Sequence, residues 1–324
     1  SGYTTTGASI LSNIEGVPKS LLFWRSLTHW LGGMGIIVLA VAILPLLGVG
    51  GLQLIKAEAP GPSVDKITPR IAQTAKLLWM VYLIFTVLEI ILLWFGGLDL
   101  FDSLTHTFGT LATGGFSTKN TSVAYFDSAY IDAVITIFMV LAGVNFVLHY
   151  RLLTGNIKSF FKDIELRVYL GVFFVATFLI AISLYAQKTY ESLGAVFRYA
   201  SFQAASILTT TGYATADFEA WPFFSQAVLF GLMFVGGCSG STGGGIKVIR
   251  IVLLFKQGIN EMKYLLHPRA IFSLRLGKNI IKKDVVYAVL GFFFLYILMI
   301  IFTTFVVASS NQSILTSLTT ALAT

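Results

Sequence analysis

Residues 210–215 read Thr210-Thr211-Gly212-Tyr213-Ala214-Thr215. The same wording occurs twice more, as Thr5-Thr6-Gly7-Ala8-Ser9 and Ala112-Thr113-Gly114-Gly115-Phe116-Ser117. Each copy is a Thr-Gly step followed within three residues by Ser or Thr, and each lies between hydrophobic segments long enough to cross a bilayer. Gly7 and Gly114 are 107 residues apart, and Gly114 and Gly212 are 98 apart. A phrase that recurs at a near-constant period marks repeated structural units. Thr-Gly loops at membrane depth are what a cation selectivity filter built from backbone carbonyls requires.

The rest of the chain agrees with a membrane setting. Of its 324 residues, 56% are hydrophobic and 11% charged, against about 25% charged in a soluble domain. Mean hydropathy is +0.82. Candidate spans are 27–49, 74–97, 129–150, 167–186, 222–257 (interrupted) and 284–308. Cys238 is the one cysteine, so no disulfide forms within the chain. No signal peptide is visible. The chain opens inside a repeat phrase, so further natural N-terminal sequence is expected.

The net charge of +7 raises the question of nucleic acid, but its placement argues for a membrane instead. Seventeen of the 22 Lys and Arg residues fall in three clusters: Lys56 to Lys76, Arg151 to Arg167, and Lys247 to Lys283. The positive-inside rule puts these clusters in the cytoplasm. The Thr-Gly loops then enter from the opposite face, beside Glu15, Asp99, Asp102, Asp127, Glu191, Asp217 and Glu219. Such acids are either a mouth that concentrates cations or ordinary solvated loop residues.

The second unit gives the pattern. A first span, M1 (77–97), is followed by a segment from Phe101 to Leu111 that is too short to cross and has Asp102 or Ser103 as its N-cap. The loop 112–118 and a second span, M2 (129–150), complete it. The third unit repeats this, with M1 near 167–186, a half-helix from Ser192 to Leu208, a loop at 209–215 and M2 from Pro222. The expected divisions are 1–70 (loop and M2 of a first unit plus a cytoplasmic linker), 71–163, 164–283 (with an interrupted M2 and a basic cytoplasmic segment) and 284–324 (M1 and half-helix of a fourth). The fourth loop is read as cut off before its glycine. Non-helical backbone at membrane depth must line a watery cavity or be buried in protein. The expected fold is therefore an all-α integral membrane protein with pseudo-fourfold units around a pore, potassium-channel-like and truncated at both ends. Each half-helix would aim its partially negative C-terminus at the axis.

Backbone carbonyls replace a cation's water without a fixed charge that would trap the ion. Aligning them takes unusual dihedrals, including φ > 0, which glycine reaches easily. Threonine adds a hydroxyl and a stiff side chain. The loops carry no acidic residue, which argues against a divalent site and leaves potassium ahead of sodium. One shared glycine per loop predicts fewer ordered sites than a two-glycine filter. The plain alternative is that a Thr-Gly step is only a turn.

The third M2 contains Gly236-Gly237-Cys238-Ser239-Gly240-Ser241-Thr242-Gly243-Gly244-Gly245, six glycines in ten residues. At up to about 1 kcal/mol per glycine, the helix should break there. A polar loop below the filter is a candidate gate, with Lys247 and Arg250 placed to tie it to its neighbours; a glycine-rich packing motif without motion is the competing reading. A phosphate loop fails because Ile246 stands where Lys is needed. A hydrolase using Ser239 or Ser241 lacks a G-x-S-x-G elbow and a nearby histidine. Among other polar residues, Glu89 lies mid-span, as a functional carboxyl or a protonated packing group. Asn145 is a pore-lining or helix-bridging candidate. Arg25 either neutralises an outer acid or snorkels.

With these motifs in hand the chain resembles the bacterial Trk potassium-uptake membrane subunits of the Trk/Ktr/HKT superfamily. The resemblance rests on Thr4-Thr5-Thr6-Gly7-Ala8-Ser9, Thr209-Thr210-Thr211-Gly212-Tyr213, Trp30-Leu31-Gly32-Gly33-Met34-Gly35-Ile36, the run 236–247 and His267-Pro268-Arg269-Ala270, while Ala57-Glu58-Ala59-Pro60-Gly61-Pro62 favours Trk over Ktr. It implies four M1–pore-helix–M2 repeats, a homodimer in the bacterial inner membrane, and potassium as substrate with no bound cofactor. It also implies a cytoplasmic nucleotide-binding subunit of the regulator-of-potassium-conductance type, and no nucleic acid. By matched motif, Thr5, Thr6, Gly7, Ala112, Thr113, Gly114, Thr210, Thr211 and Gly212 would be filter positions. Gly236, Gly237, Ser239, Gly240, Ser241, Thr242, Gly243, Gly244, Gly245 and Lys247 would form the gating loop. The fourth filter segment, the last M2 and its basic residue have no counterpart in the sequence, so this length of chain is not expected to conduct. The expected function is channel-like potassium uptake, not enzymatic; the alternatives are a sodium- or proton-coupled symporter, with Glu89 as coupling site, or an intramembrane serine hydrolase.

Overall fold

A computed structural model describes residues 1–35, 71–267, 269, 273–277, 279–281 and 283–324. Most of the expected 27–49 span, the linker to residue 70 and the 57–62 motif lie outside the described residues.

The described chain is helical apart from one two-stranded ribbon, β1 (Arg275–Leu276) with β2 (Asn279–Ile280). Among the described residues, three helices are long and apolar enough to cross a membrane: α2 (Ile71–Phe95), α7 (Ile164–Ala186) and α11 (Lys283–Ala308). These are the expected M1 segments. Their outward faces keep large apolar side chains exposed, including Ile84, Trp94, Phe174, Phe178, Phe294 and Phe302, as lipid contact requires. With three such helices the chain is a multi-pass membrane protein.

The half-helices form as expected. These are α3 (Leu100–Leu111), α8 (Leu193–Leu208) and α12 (Ile314–Ala323), with Ser192 and Ser313 as N-caps for the last two. The cap of α3 is a correction: Asp99, not Asp102 or Ser103, accepts the Asp102 N–H at 2.6 Å. Asp102 falls in the first turn, where its charge still suits the helix N-terminus. Shorter than a bilayer is thick, α3 and α8 lie wedged among the long helices, α3 against α1 (Lys19–Trp30) and α2, α8 against α7 and α4 (Ala129–Ala142).

The second M2 is not the continuous 129–150 helix that hydropathy suggests. It ends at Ala142, and α5 (Phe146–Leu153) departs at 102°. Asn145 caps α5 by accepting the Val147 N–H at 2.8 Å. The first M2 also changes character at its glycines, passing from α1 into a π-turn at Leu31–Gly35. The third breaks between α9 (Phe223–Met233) and α10 (Val248–Leu266). The short helix α6 (Ile157–Lys162) links α5 to α7. Two tyrosines mark equivalent joints at these breaks. Tyr82 of α2 donates to the Trp30 carbonyl at 3.2 Å, and Tyr169 of α7 donates to the Val140 carbonyl at 3.0 Å. In each case the carbonyl lies three residues before a glycine, Gly33 or Gly143, against which the tyrosine ring end is packed.

Candidate functional site

The three Thr-Gly loops share one backbone conformation. Thr5, Thr113 and Thr210 have φ of 53°, 52° and 61°, and Gly7, Gly115 and Gly212 have φ of 76°, 75° and 82°. The residues between them, Thr6, Gly114 and Thr211, are not in the positive-φ set. The N–H groups repeat as well. Those of Thr5, Thr113 and Thr210 bond the carbonyls of Gly2, Thr110 and Ile207, and those of Thr6, Gly114 and Thr211 bond Ser1, Gly109 and Ser206. This i−3 and i−5 pair is a Schellman helix ending, with threonine in the left-handed position that glycine usually takes. A left-handed L-residue costs about 1–2 kcal/mol, and β-branched residues are the rarest there. Each of these threonines donates its hydroxyl to the carbonyl just before it, at 2.8, 2.7 and 2.6 Å.

This conformation corrects the alignment of the second loop. The glycine equivalent to Gly7 and Gly212 is Gly115, and Gly114 takes the place of Thr6 and Thr211. Alternating dihedral sign gathers successive N–H groups on one side, here the half-helix side, so the carbonyls point the other way. Among the described residues, none of the nine carbonyls of Thr5–Gly7, Thr113–Gly115 and Thr210–Gly212 accepts a hydrogen bond. The loops also meet. A methyl placed on Gly7 would strike the Gly114 carbonyl oxygen, and one on Gly115 would strike that of Thr211. Glycine is needed at both positions for φ and for space.

Residues just past the loops lock neighbours together. Tyr213, fully buried, donates toward the carbonyls of His106 and Phe116 at 3.0 and 3.1 Å. Phe116 stacks on His29 of α1 at 3.8 Å between ring centroids. The His29 ring also fills the space in front of Gly114, where a Cβ would collide with it. Loops one and three carry hydroxyl pairs at 2.7 Å, Thr4 with Thr6 and Thr209 with Thr211. The second loop has Ala112 and Gly114 there, so its quadrant is differently furnished.

The glycine-rich run 236–245 is a non-helical segment directly against two of these loops. Thr113 Oγ1 lies 2.9 Å from the Thr242 carbonyl, and the Gly244 N–H donates to Thr210 Oγ1 at 2.7 Å. The segment equally engages the break in the second M2. Cys238 N–H bonds the Gly143 carbonyl at 2.8 Å, and Phe146 N–H bonds the Gly240 carbonyl at 3.0 Å. Asn145 stands where a Cβ on Gly240 would point. Lys247, at φ 76°, turns its ammonium onto the Gly243 carbonyl.

A comparison with known proteins decides the family. The sequence profile of the family described as TrkH, cation transport protein, matches residues 1–324. The chain belongs to the TrkH family. It is 48% identical over 303 residues to the Trk system potassium uptake protein TrkH of Escherichia coli K12, covering 93% of this chain and 63% of that protein. It is 40% identical over 326 residues to the E. coli K12 potassium uptake protein TrkG, with 99% and 66% covered. The crystal structure of the potassium transporter TrkH from Vibrio parahaemolyticus superimposes with a TM-score of 0.87 at 40% identity, covering all of this chain and 66% of that one. This TrkH-family chain thus spans just under two thirds of the first of these relatives. It is a multi-pass protein of the bacterial inner membrane.

The remaining candidates of this TrkH-family chain take specific places. Glu89 is wholly buried within the bundle, on the α2 helix that packs on α3, with its carboxyl beside the Thr110 side chain of α3. Arg25 forms no ion pair with an acid among the described residues. Its guanidinium donates to the Ser117 carbonyl at 2.9 Å and lies 3.7 Å over the Phe116 ring, pinning the second loop's outer end. The outer acids are mostly engaged. Asp102 pairs with Lys119 at 3.6 Å, Asp127 with Arg198 at 3.1 Å, and Asp99 caps α3. Arg198 also holds the buried Asp132 at 2.7 Å. Sequence reasoning missed Tyr82, Tyr169 and Glu165. A Val-Tyr step opens each M1, at Val81-Tyr82, Val168-Tyr169 and Val286-Tyr287, and would have flagged the first two.

Proposed function

We propose that this protein mediates channel-like uptake of potassium through its Thr-Gly loops. One observation carries the reading: three loops of the same backbone handedness abut one another with nine carbonyls free of internal hydrogen bonds. A ring of such oxygens can replace the hydration shell of a monovalent cation. The half-helix C-termini add negative potential. The relatives' role in potassium uptake selects the ion. Thr5, Thr6, Gly7, Thr113, Gly114, Gly115, Thr210, Thr211 and Gly212 are the filter positions, and Ala112, which the shared dihedrals set opposite Thr4 and Thr209, falls outside them. The run 236–245 with Lys247 is the gate, because it lies against two loops while keeping six flexible glycines. The basic 246–283 segment is the docking surface for a cytoplasmic nucleotide-binding regulator, and the assembly is a homodimer.

Radiotracer uptake into liposomes holding the full-length protein tests the reading. Rubidium and potassium flux should exceed sodium flux, follow the membrane potential and need no co-ion. Strict dependence on a sodium or proton gradient would replace the channel with a coupled symporter.

A further inference from the structure

Glu165 is the second residue of α7 and is 8% exposed. One of its oxygens, Oε1, accepts two backbone N–H groups, from Ser239 at 2.7 Å and from Ile249 at 3.1 Å. Ser239 lies inside the glycine-rich segment, and Ile249 is in the first turn of α10, just past it. That first turn has orphan donors, and its N-cap residue, Lys247, provides no side-chain cap. The carboxylate of another helix supplies one. An acid at the head of an apolar helix is costly to bury, so its placement calls for a reason beyond solubility.

We propose that Glu165 is the latch of the glycine-rich segment, a positioning residue that holds the segment under the loops through one shared oxygen. This rests on reading 236–245 as the gate. Because both donors converge on the same atom, a shift of α10 withdraws the Ile249 N–H and loosens Ser239 in the same movement. α10 is itself part of the basic 246–283 segment, which gives a cytoplasmic partner a handle on the latch. The six glycines make the segment mobile once it is released.

Cys238, buried beside Ser239, reports release independently of ion flow. Its modification by a water-soluble methanethiosulfonate would be followed by mass spectrometry in proteoliposomes of the full-length protein, as the parent, Glu165→Ala, Glu165→Asp and Glu165→Gln. Loss of two hydrogen bonds should speed modification in Glu165→Ala by about tenfold or more. Glu165→Asp, one methylene short, should also be fast, and it carries the test if the alanine variant does not fold. Glu165→Gln retains an acceptor oxygen and should stay within about threefold of the parent. Parent-like rates in both the alanine and aspartate variants would overturn the latch. Rubidium flux on the same vesicles separates the two ideas: fast modification with no potassium-selective flux in any variant supports the latch and counts against the conduction reading.

Discussion

The Thr113 hydroxyl reaches 2.9 Å to the carbonyl of Thr242, although the two residues are 129 positions apart. With its counterpart, Thr210 receiving the Gly244 N–H at 2.7 Å, it ties the innermost threonines of two loops to the glycine-rich segment. The loops and the glycine-rich segment are thus directly hydrogen-bonded to each other. Occupancy of the loops and position of the segment are expected to influence each other.

Thr113→Val and Thr210→Val keep the branched shape and remove these bonds. Each bond is worth about 1 kcal/mol, so each variant should raise basal rubidium uptake by about fivefold, with expression unchanged. Uptake equal to the parent's in both would separate filter from gate.

Gly114 stands against the His29 ring, and a methyl there has no room. Gly114→Ala should lower the thermal unfolding temperature in detergent, by the equivalent of about 1–3 kcal/mol. Combining it with His29→Ala should recover part of that loss, because the two changes share one contact. Strict additivity of the two losses would show that the ring is not what excludes the methyl.

Much of this arrangement was legible in the sequence and some was hidden for identifiable reasons. Long apolar runs announced α2, α7 and α11, and Ser192 announced the start of α8, because burial and capping are local signals. Gly115 was hidden behind Gly114: two adjacent glycines leave the register to dihedral angles, and the Thr-Gly spelling points to the wrong one. The bend at Gly143–Asn145 was masked by apolar residues on both sides, since hydropathy does not record helix direction. Asp102 and Asp127 invited an electrostatic reading, but Lys119 and Arg198, which pair with them, come from elsewhere along the chain. Glu165 resembled any charged residue at a helix start, because its partners are backbone groups more than 70 positions away.

Tyr82 and Tyr169 perform the same task at two M2 breaks. Tyr82→Phe and Tyr169→Phe each leave a carbonyl without its hydroxyl partner and should cost about 1–2 kcal/mol. The two sites are separate joints, so the double variant should lose about the sum. Thermal unfolding in detergent measures this, and a neutral result at either position would remove that tyrosine from the joint.

The account depends on main-chain oxygens of separate loops facing a common ion. Anomalous diffraction from crystals soaked in rubidium or thallium tests that most directly. Density in contact with the carbonyl oxygens of Thr5, Thr113 and Thr210, and of Thr6, Gly114 and Thr211, is the expected result. Density confined to the Glu89 carboxyl or the outer acids, with none between the loops, would contradict it.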